Sequence, residues 1–201
     1  MNMTKHGSER LKVRGIDLDV AHLINHVIPP VYKRGANLKS MNKKEANFES
    51  CLQPRTNILV SCRGLNGKNN ALAVAYCCNC SFDPPMVMVG IIPSRYSYKL
   101  IKESGCLVVN LVSKENKEMF DYLGSHSGRD ENKFEAIDVK HSDAVRINAP
   151  ILDECPVNIE CSIVDSIMTG SHEMFICKVE HVHSDPKFLK ENGDLDFNLS
   201  K

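Results

Sequence analysis

Beyond residue 56, hydrophobic positions either alternate with polar ones or run together in blocks of six or seven. Both patterns point to strands rather than helices. Asn57–Arg63 reads as a strand, Leu65-Asn66-Gly67-Lys68 as a hairpin turn whose Asn-Gly pair supplies positive φ, and Asn70–Tyr76 as the returning strand. Asp83-Pro84-Pro85 marks a turn before the apolar run Met86–Ile92. Arg95–Ser104 is predicted as a helix closed by Gly105, and Cys106–Val112 as the next strand. Ser113 is placed as the cap of a helix that runs to Leu123 and ends at Gly124, with a short helix near Asp130–Ile137. Val157–Met168 alternates, with Val157, Ile159, Cys161, Ile163 and Ile167 on one face and Asn158, Glu160 and Ser162 on the other. Met174–His183 alternates again after Gly170-Ser171-His172. The expected class is mainly β (α+β), with a few short helices and long hairpins that favour a barrel over a parallel sheet.

Residues 1–44 differ in character from the rest of the chain. Between Lys33 and Asn47 the sequence is polar and basic, and Pro29-Pro30 stops any helix begun at His22. This segment is expected to be a weakly ordered or docking arm, with Met41 as an alternative translation start, and residues 45–201 to form the folded domain. The tail from Asp185 is charged and stops at Lys201.

The length of 201 residues suits one domain with an appended arm. Twenty-five basic residues balance 25 acidic ones, so there is no electrostatic footprint for nucleic acid or an anionic membrane. The apolar runs are too short to span a bilayer, the first twenty residues lack a signal core, and a cytoplasmic location is expected. Nine cysteines is a high and odd count. Without a signal peptide, buried free thiols are the favoured reading for Cys62, Cys106, Cys161 and Cys177, all within predicted strands.

Three distant segments carry candidate chemistry. In Pro93-Ser94-Arg95-Tyr96-Ser97 a strand feeds directly into a helix start, where backbone N–H groups lack intrahelical partners and the helix dipole is positive. Ser94 and Ser97 add hydroxyls, and Arg95 adds a planar fork of donors for a phosphate. The small residues of Asn69–Tyr76 let a flat ligand approach the backbone. Gly124–Phe134 is a glycine-flanked loop carrying Arg129 and Lys133. Each has a plainer reading: an ordinary helix start with an exposed Arg, or a connecting loop.

Taken in order, Asn57–Arg63 with Gly67-Lys68-Asn69-Asn70, Asp83-Pro84-Pro85, Pro93–Ser97, Ile101–Gly105, Val108-Val109-Asn110, Ser127-Gly128-Arg129 to Lys133-Phe134 and Gly170-Ser171-His172 resemble the flavin reductase-like family of FMN-binding split barrels, which includes flavoredoxin. The resemblance runs from about Phe48 to Gly193. It implies a homodimeric split β-barrel with FMN at the subunit interface. Ser94, Arg95 and Ser97 would hold the phosphate. The isoalloxazine would lie along Asn70–Cys78, so that Asn70, Ala71, Ala75, Tyr76, Cys77 and Cys78 become cofactor-binding candidates, with backbone N–H groups of Ala75–Cys78 as donors to the reduced ring. Ser127, Gly128, Arg129 and Lys133 would approach the flavin or its phosphate. His172 would face the nicotinamide or flavin edge as the candidate catalytic group; its plainer reading is a satisfied histidine at a strand entrance. The implied activity is hydride transfer from NADH or NADPH to FMN, with electrons passed to an acceptor; the alternative is a non-catalytic flavoredoxin-type carrier with a protein partner.

Three departures stand out. Tyr76 occupies a position where Trp is frequent in the family, the chain stops at Lys201 where relatives run on, and Cys77-Cys78-Asn79-Cys80 replaces small or hydroxyl residues. Cys77 and Cys80 have C-x-x-C spacing, but Cys155 and Cys161 make a poor second pair, so no metal site is expected. A redox-active thiol pair beside the flavin is a further reading. His181 and His183 share a strand face and are expected to be solvated.

Overall fold

The computed structural model describes residue 52 and residues 57–196; the predicted arm over residues 1–44 lies outside them. Strand β1 (Ile58–Arg63) turns back through Gly67, at φ 79°, into β2 (Asn69–Val74). Ile58, Val60 and Cys62 of β1 point into one apolar core together with Leu107, Val109, Val89, Ile91 and Phe175, while Leu59 joins a second core on the opposite face with Met119, Leu123, Phe134 and Leu152. Because both faces of β1 are covered, its sequence is an apolar block rather than an alternation.

The next strand was not revealed by the sequence: β3 (Cys77–Ser81) pairs with β4 (Met86–Ile91). Cysteine and asparagine are weak strand signals, and β3 is held by its partner, with an irregularity between Asn79 and Ser81. Helix α1 spans Tyr96–Ser104 and ends at Gly105, φ 70°, as predicted, and β5 (Cys106–Leu111) comes after it. Ser113 caps the next turn as expected, but that turn is a 3-10 segment, Lys114–Asn116, and α2 runs over Lys117–Ser125. Gly124 thus lies within α2 and does not end it; a Cβ there would sit 2.9 Å from Cβ of Ala73, so glycine permits close packing of α2 on β2. The short helix α3 is limited to Lys133–Ala136, capped by Asn132.

Two short strands, β6 (His141–Asp143) and β7 (Pro150–Leu152), pair with each other and escaped the sequence pattern. The buried Asn110 amide joins this ribbon to the main sheet, accepting from Leu152 N and from Asn158 Nδ2, at 2.8 Å for the latter. Strands β8 (Val157–Thr169) and β9 (His172–Ser184) form a long hairpin. Register shifts at Glu160/Cys161 and Ile163/Asp165 break the predicted alternation. Ile167 is exposed, and Glu160, predicted on the polar face, is fully buried. Its two carboxylate oxygens accept from Val145 N and Arg146 N, and His183 Nε2 lies 2.6 Å from Oε1. His183 is therefore half-buried against Glu160 and not simply solvated.

The seven main strands order as β2-β1-β5-β8-β9-β4-β3, antiparallel throughout. β2 and β3 are the opposite edges of this sheet, yet only Ala75 and Tyr76 separate them in the chain. Gly90 N–H on β4 donates to Tyr76 O at 2.8 Å. This bond extends the β3–β4 ladder back to Tyr76, so the two-residue link carries the chain from one edge of the sheet to the other and the sheet curls into a barrel. Among the described residues, no helix is long and apolar enough to cross a membrane.

Candidate functional site

A cavity of about 460 Å³ opens where β2, the start of α1, the end of α2 and the loop over residues 126–133 converge. Eight residues predicted from the sequence line it: Asn70, Ser94, Arg95, Ser97, Ser127, Gly128, Arg129 and Lys133. Pairing of β1 with β2 brings Asn70 opposite Cys62 and sets its side chain toward α1. There Asn70 Nδ2 donates to Ser97 Oγ at 2.6 Å, in buried surroundings. Arg95 occupies the N-cap position of α1 in extended conformation, and no side chain caps the helix. Tyr98 N–H donates to Arg95 O at 3.1 Å, and no side-chain acceptor caps the N–H groups of Tyr96 and Ser97 in the first turn, beside the cavity.

The loop over residues 126–133 is folded onto this helix start. Arg129 Nη2 donates to Ser94 O at 2.9 Å, and Lys68 Nζ donates to Gly128 O at 2.9 Å while lying 5.3 Å from the Tyr96 ring centroid. Gly128 is required by close approach: a Cβ would meet Asn70 Oδ1 at 2.6 Å and Tyr96 Cδ1 at 2.7 Å. Lys133 is buried beneath the loop and donates to the carbonyls of Ala71, Leu123 and His126. Burial, the largest influence, lowers its pKa to about 8. Among the described lining residues Arg95, Arg129 and Lys133 face a single carboxylate, Asp130. None of the three cations forms an ion pair within the described residues. A concave, uncapped helix start with excess positive charge is suited to a phosphorylated ligand.

Five predicted cofactor contacts do not line this cavity. Ala71 is fully buried, with its carbonyl taken by Lys133. Ala75, Tyr76, Cys77 and Cys78 belong to the edge-to-edge crossing and the start of β3. His172 lies with Tyr76, Thr169, Ser171 and Met174 around a separate depression of about 280 Å³. Its ring meets Tyr76 edge-on at 4.8 Å, and Nδ1 is 2.8 Å from Ser171 Oγ. Leu72, Ala73, Tyr96, Gly124, His126 and Asp130 also line the cavity; they lie within the three segments singled out from the sequence but were not named as contacts, and Leu123 lies outside those segments. Tyr96 was within reach, being bracketed by Arg95 and Ser97. The contribution of α2 was not, because nothing local shows which turn of a helix meets a strand.

A second unforeseen feature is Glu173. It is buried beside His172 and accepts from Tyr98 Oη, from Ser166 Oγ at 2.6 Å and from Lys102 Nζ at 2.9 and 3.0 Å. The hydrogen bonds from Ser166, Tyr98 and Lys102 hold its carboxyl down at about 2. This network clamps α1, which carries the cavity's helix start, to the β8–β9 hairpin. Five of the eight described cysteines are buried. Burial, reinforced by the neighbouring Cys78 and Cys80, pushes Cys77 up to about 12, so it is a protonated thiol at neutral pH. Among the described residues no three His, Cys, Asp or Glu side chains are grouped to hold a metal ion.

A family model described as a flavin reductase like domain matches residues 52–195. The chain belongs to this flavin reductase-like family. An uncharacterized protein of Archaeoglobus fulgidus is 31% identical over 79% of this chain and 89% of its own length. The FMN reductase (NADH) RutF of Bradyrhizobium diazoefficiens is 27% identical over 65% of this chain and 69% of its own. Among solved structures, flavoredoxin of Desulfovibrio vulgaris (Miyazaki F) superposes with a TM-score of 0.72 at 27% identity, covering 78% of this chain and 84% of that one. A Shewanella frigidimarina protein with a split barrel domain is similar in fold, with a TM-score of 0.65 at 20% identity over 71% of this chain and 73% of that one. This flavin reductase-like chain has that split-barrel fold.

Proposed function

We propose that this flavin reductase-like protein binds FMN in the cavity and uses it to take hydride from NADH or NADPH and deliver electrons to an acceptor. The observation that carries the reading is the cluster of Arg95, Arg129 and Lys133 around the uncapped start of α1, cations without a carboxylate partner among the described residues. The similarity to FMN reductases (NADH) supports it at family level.

Arg95 and the first-turn N–H groups of α1 would hold the phosphate, with Arg129 fixed from below by Ser94 O. Ala73, Gly124 and Gly128 present little side-chain bulk, which leaves room for a flat ring system. When bound, FMN supplies the hydride-accepting ring; the protein supplies binding, orientation and charge. A homodimer is part of the proposal: Val164, Ile167 and Met168 form an exposed apolar stretch on the hairpin that carries His172, a surface suited to a second copy. In such a dimer His172 would reach the partner's flavin rather than its own.

Likeness to flavoredoxin at 27% identity favours one further reading, an electron carrier that holds FMN and exchanges electrons with a protein without oxidising nicotinamide itself. Anaerobic purification, a visible spectrum, and successive additions of NADH, NADPH and dithionite separate the two. Flavin bleached by a nicotinamide supports the reductase; flavin bleached by dithionite alone supports the carrier. A protein that remains colourless after incubation with FMN overturns both.

A further inference from the structure

Lys133 has a full set of hydrogen bonds and no counter-ion. The residue is only 3% exposed. It donates to Ala71 O on β2 at 2.5 Å, to Leu123 O in the last turn of α2 at 2.7 Å and to His126 O at 3.1 Å. An ammonium has three N–H donors, so all are engaged. Main-chain dipoles therefore take the place that a carboxylate ordinarily fills beside a buried cation.

The charged and titratable groups facing Lys133 come from each element packed on it. From β1 comes Cys62, which burial pushes up to about 12 and which stays neutral below that. From the approach to α1 comes the Arg95 cation, which opposes the ammonium. From its own loop comes the Glu131 carboxylate, already engaged with the Tyr122 hydroxyl at 3.0 Å. Burial, with a contribution from Arg95, outweighs the pull of Cys62 and Glu131, and the lysine titrates near the edge of the physiological range, at about 8. On losing a proton the amine keeps two N–H donors for three carbonyls, so one of the three segments it joins is released.

We propose that Lys133 makes anion binding proton-linked: a phosphate-bearing ligand in the cavity is the counter-ion that this buried ammonium lacks, so binding at mildly alkaline pH takes up a proton on Lys133, and alkaline pH releases the ligand. The inference rests on the proposed FMN site for the identity of the ligand and on the geometry of Lys133 for the proton. Linkage gives the sign. An anion raises the lysine's affinity for its proton, and reciprocally the protonated lysine raises affinity for the anion. The phosphate is not the source of the proton change, because its second ionisation, near about pH 6, is complete in this range.

The test uses the full chain freed of flavin. FMN binding is followed by fluorescence quenching and by calorimetry at pH 7.0 and pH 8.5 in two buffers of different ionisation enthalpy, and the titration is repeated with phenyl phosphate, a monoester whose phosphate is fully ionised in this range. Proton uptake near zero at pH 7.0 and roughly half a proton or more at pH 8.5 is expected, with affinity falling about tenfold by pH 9.5 where the ligand raises the lysine by a unit. Lys133→Arg, whose guanidinium does not titrate, is expected to bind with no uptake. If that variant does not fold, the ¹³Cε titration of Lys133 in the native chain decides instead, with its midpoint moving up by about a unit or more on adding either anion. FMN bound without uptake at pH 8.5, or uptake that persists in Lys133→Arg, overturns the inference and leaves the FMN reading intact. Phenyl phosphate bound with uptake while FMN is refused overturns the FMN reading and supports the inference. Refusal of both anions overturns both.

Discussion

Asn70 on β2 donates its side-chain N–H to Ser97 Oγ in the first turn of α1, 2.6 Å away and out of reach of solvent. This bond fixes where the uncapped helix start sits relative to the barrel, and the cavity's polar wall depends on it. Ser97→Ala leaves the Asn70 donor buried without that acceptor. A loss of about 1–3 kcal/mol in unfolding free energy is expected, measured by urea denaturation, together with weaker FMN binding.

Arg95 is the counterpart case, a cavity residue with no ion pair among the described residues and an N-cap position that any residue in extended conformation fills. Arg95→Ala is expected to leave the melting temperature within about a degree or two of the native value. FMN affinity should fall about 10- to 100-fold, the worth of one charge-assisted phosphate contact. Fluorescence titration at two salt concentrations checks both the magnitude and its ionic origin.

At Gly128 a methyl group has nowhere to go: its neighbours would be Asn70 Oδ1 at 2.6 Å and Tyr96 Cδ1 at 2.7 Å. Gly128→Ala is expected to displace the loop that carries Arg129. FMN binding should weaken because the loop lines the cavity, and global stability should fall as well because the added methyl pushes on Asn70, which holds Ser97. Parallel FMN titration and thermal melting separate the two effects.

Glu173 predicts an acid dependence. Its carboxyl is held near 2 by Ser166, Tyr98 and Lys102, against an ordinary value of 4.5. A depressed carboxylate contributes stability that is complete above its ordinary value and lost as pH falls through the folded one. Glu173→Gln is expected to melt several degrees below the native protein at pH 7, and the gap should close as pH drops toward about 2. A gap that stays constant with pH would show that Glu173 acts by packing alone.

The buried thiols predict the alkaline limb. Burial pushes Cys62, Cys77, Cys155 and Cys177 up to about 12 from 9.0. The unfolded chain ionises these thiols first, so their contribution is present below about pH 9 and is lost as pH rises toward the folded values. Lys133, shifted downward, works the other way above about 8, but it is one group against these four and Cys161, which burial also raises. Unfolding free energy is expected to fall by roughly 3–5 kcal/mol between about pH 9 and about pH 10, at most about 1.4 kcal/mol per thiol per pH unit. Urea melts under reductant in that range measure it.

Much of the barrel was legible along the chain, because β1, β2, β4, β5, β8 and β9 are blocks or alternations of hydrophobic residues that read as strands. Gly67 and Gly105 took the positive φ values their positions implied. What failed did so for identifiable reasons. β3 is written in cysteine and asparagine and exists through its partner β4, and β6 and β7 are three residues each, too short for any period to show. Glu160 looked like an outward residue until register shifts in β8 turned it inward to the amides of residues 145 and 146.

The site divides in the same way. Ser94, Arg95, Ser97, Ser127, Gly128, Arg129 and Lys133 announce themselves by type, since hydroxyls, guanidinium groups and glycines at a strand-to-helix junction have few other uses in such density. Local sequence determined the strands, the turn, the helix start and the chemical character of the two loops, because these depend on side chains within a few positions of one another. The tertiary structure alone decided that Tyr76 and His172 share a depression apart from the cavity, that α2 packs on Ala73 through Gly124, and that Lys133 gives its protons to three carbonyls. These depend on contacts between positions seven to nearly a hundred residues apart, and such contacts are set by how a curled sheet closes, not by any pattern a single segment carries.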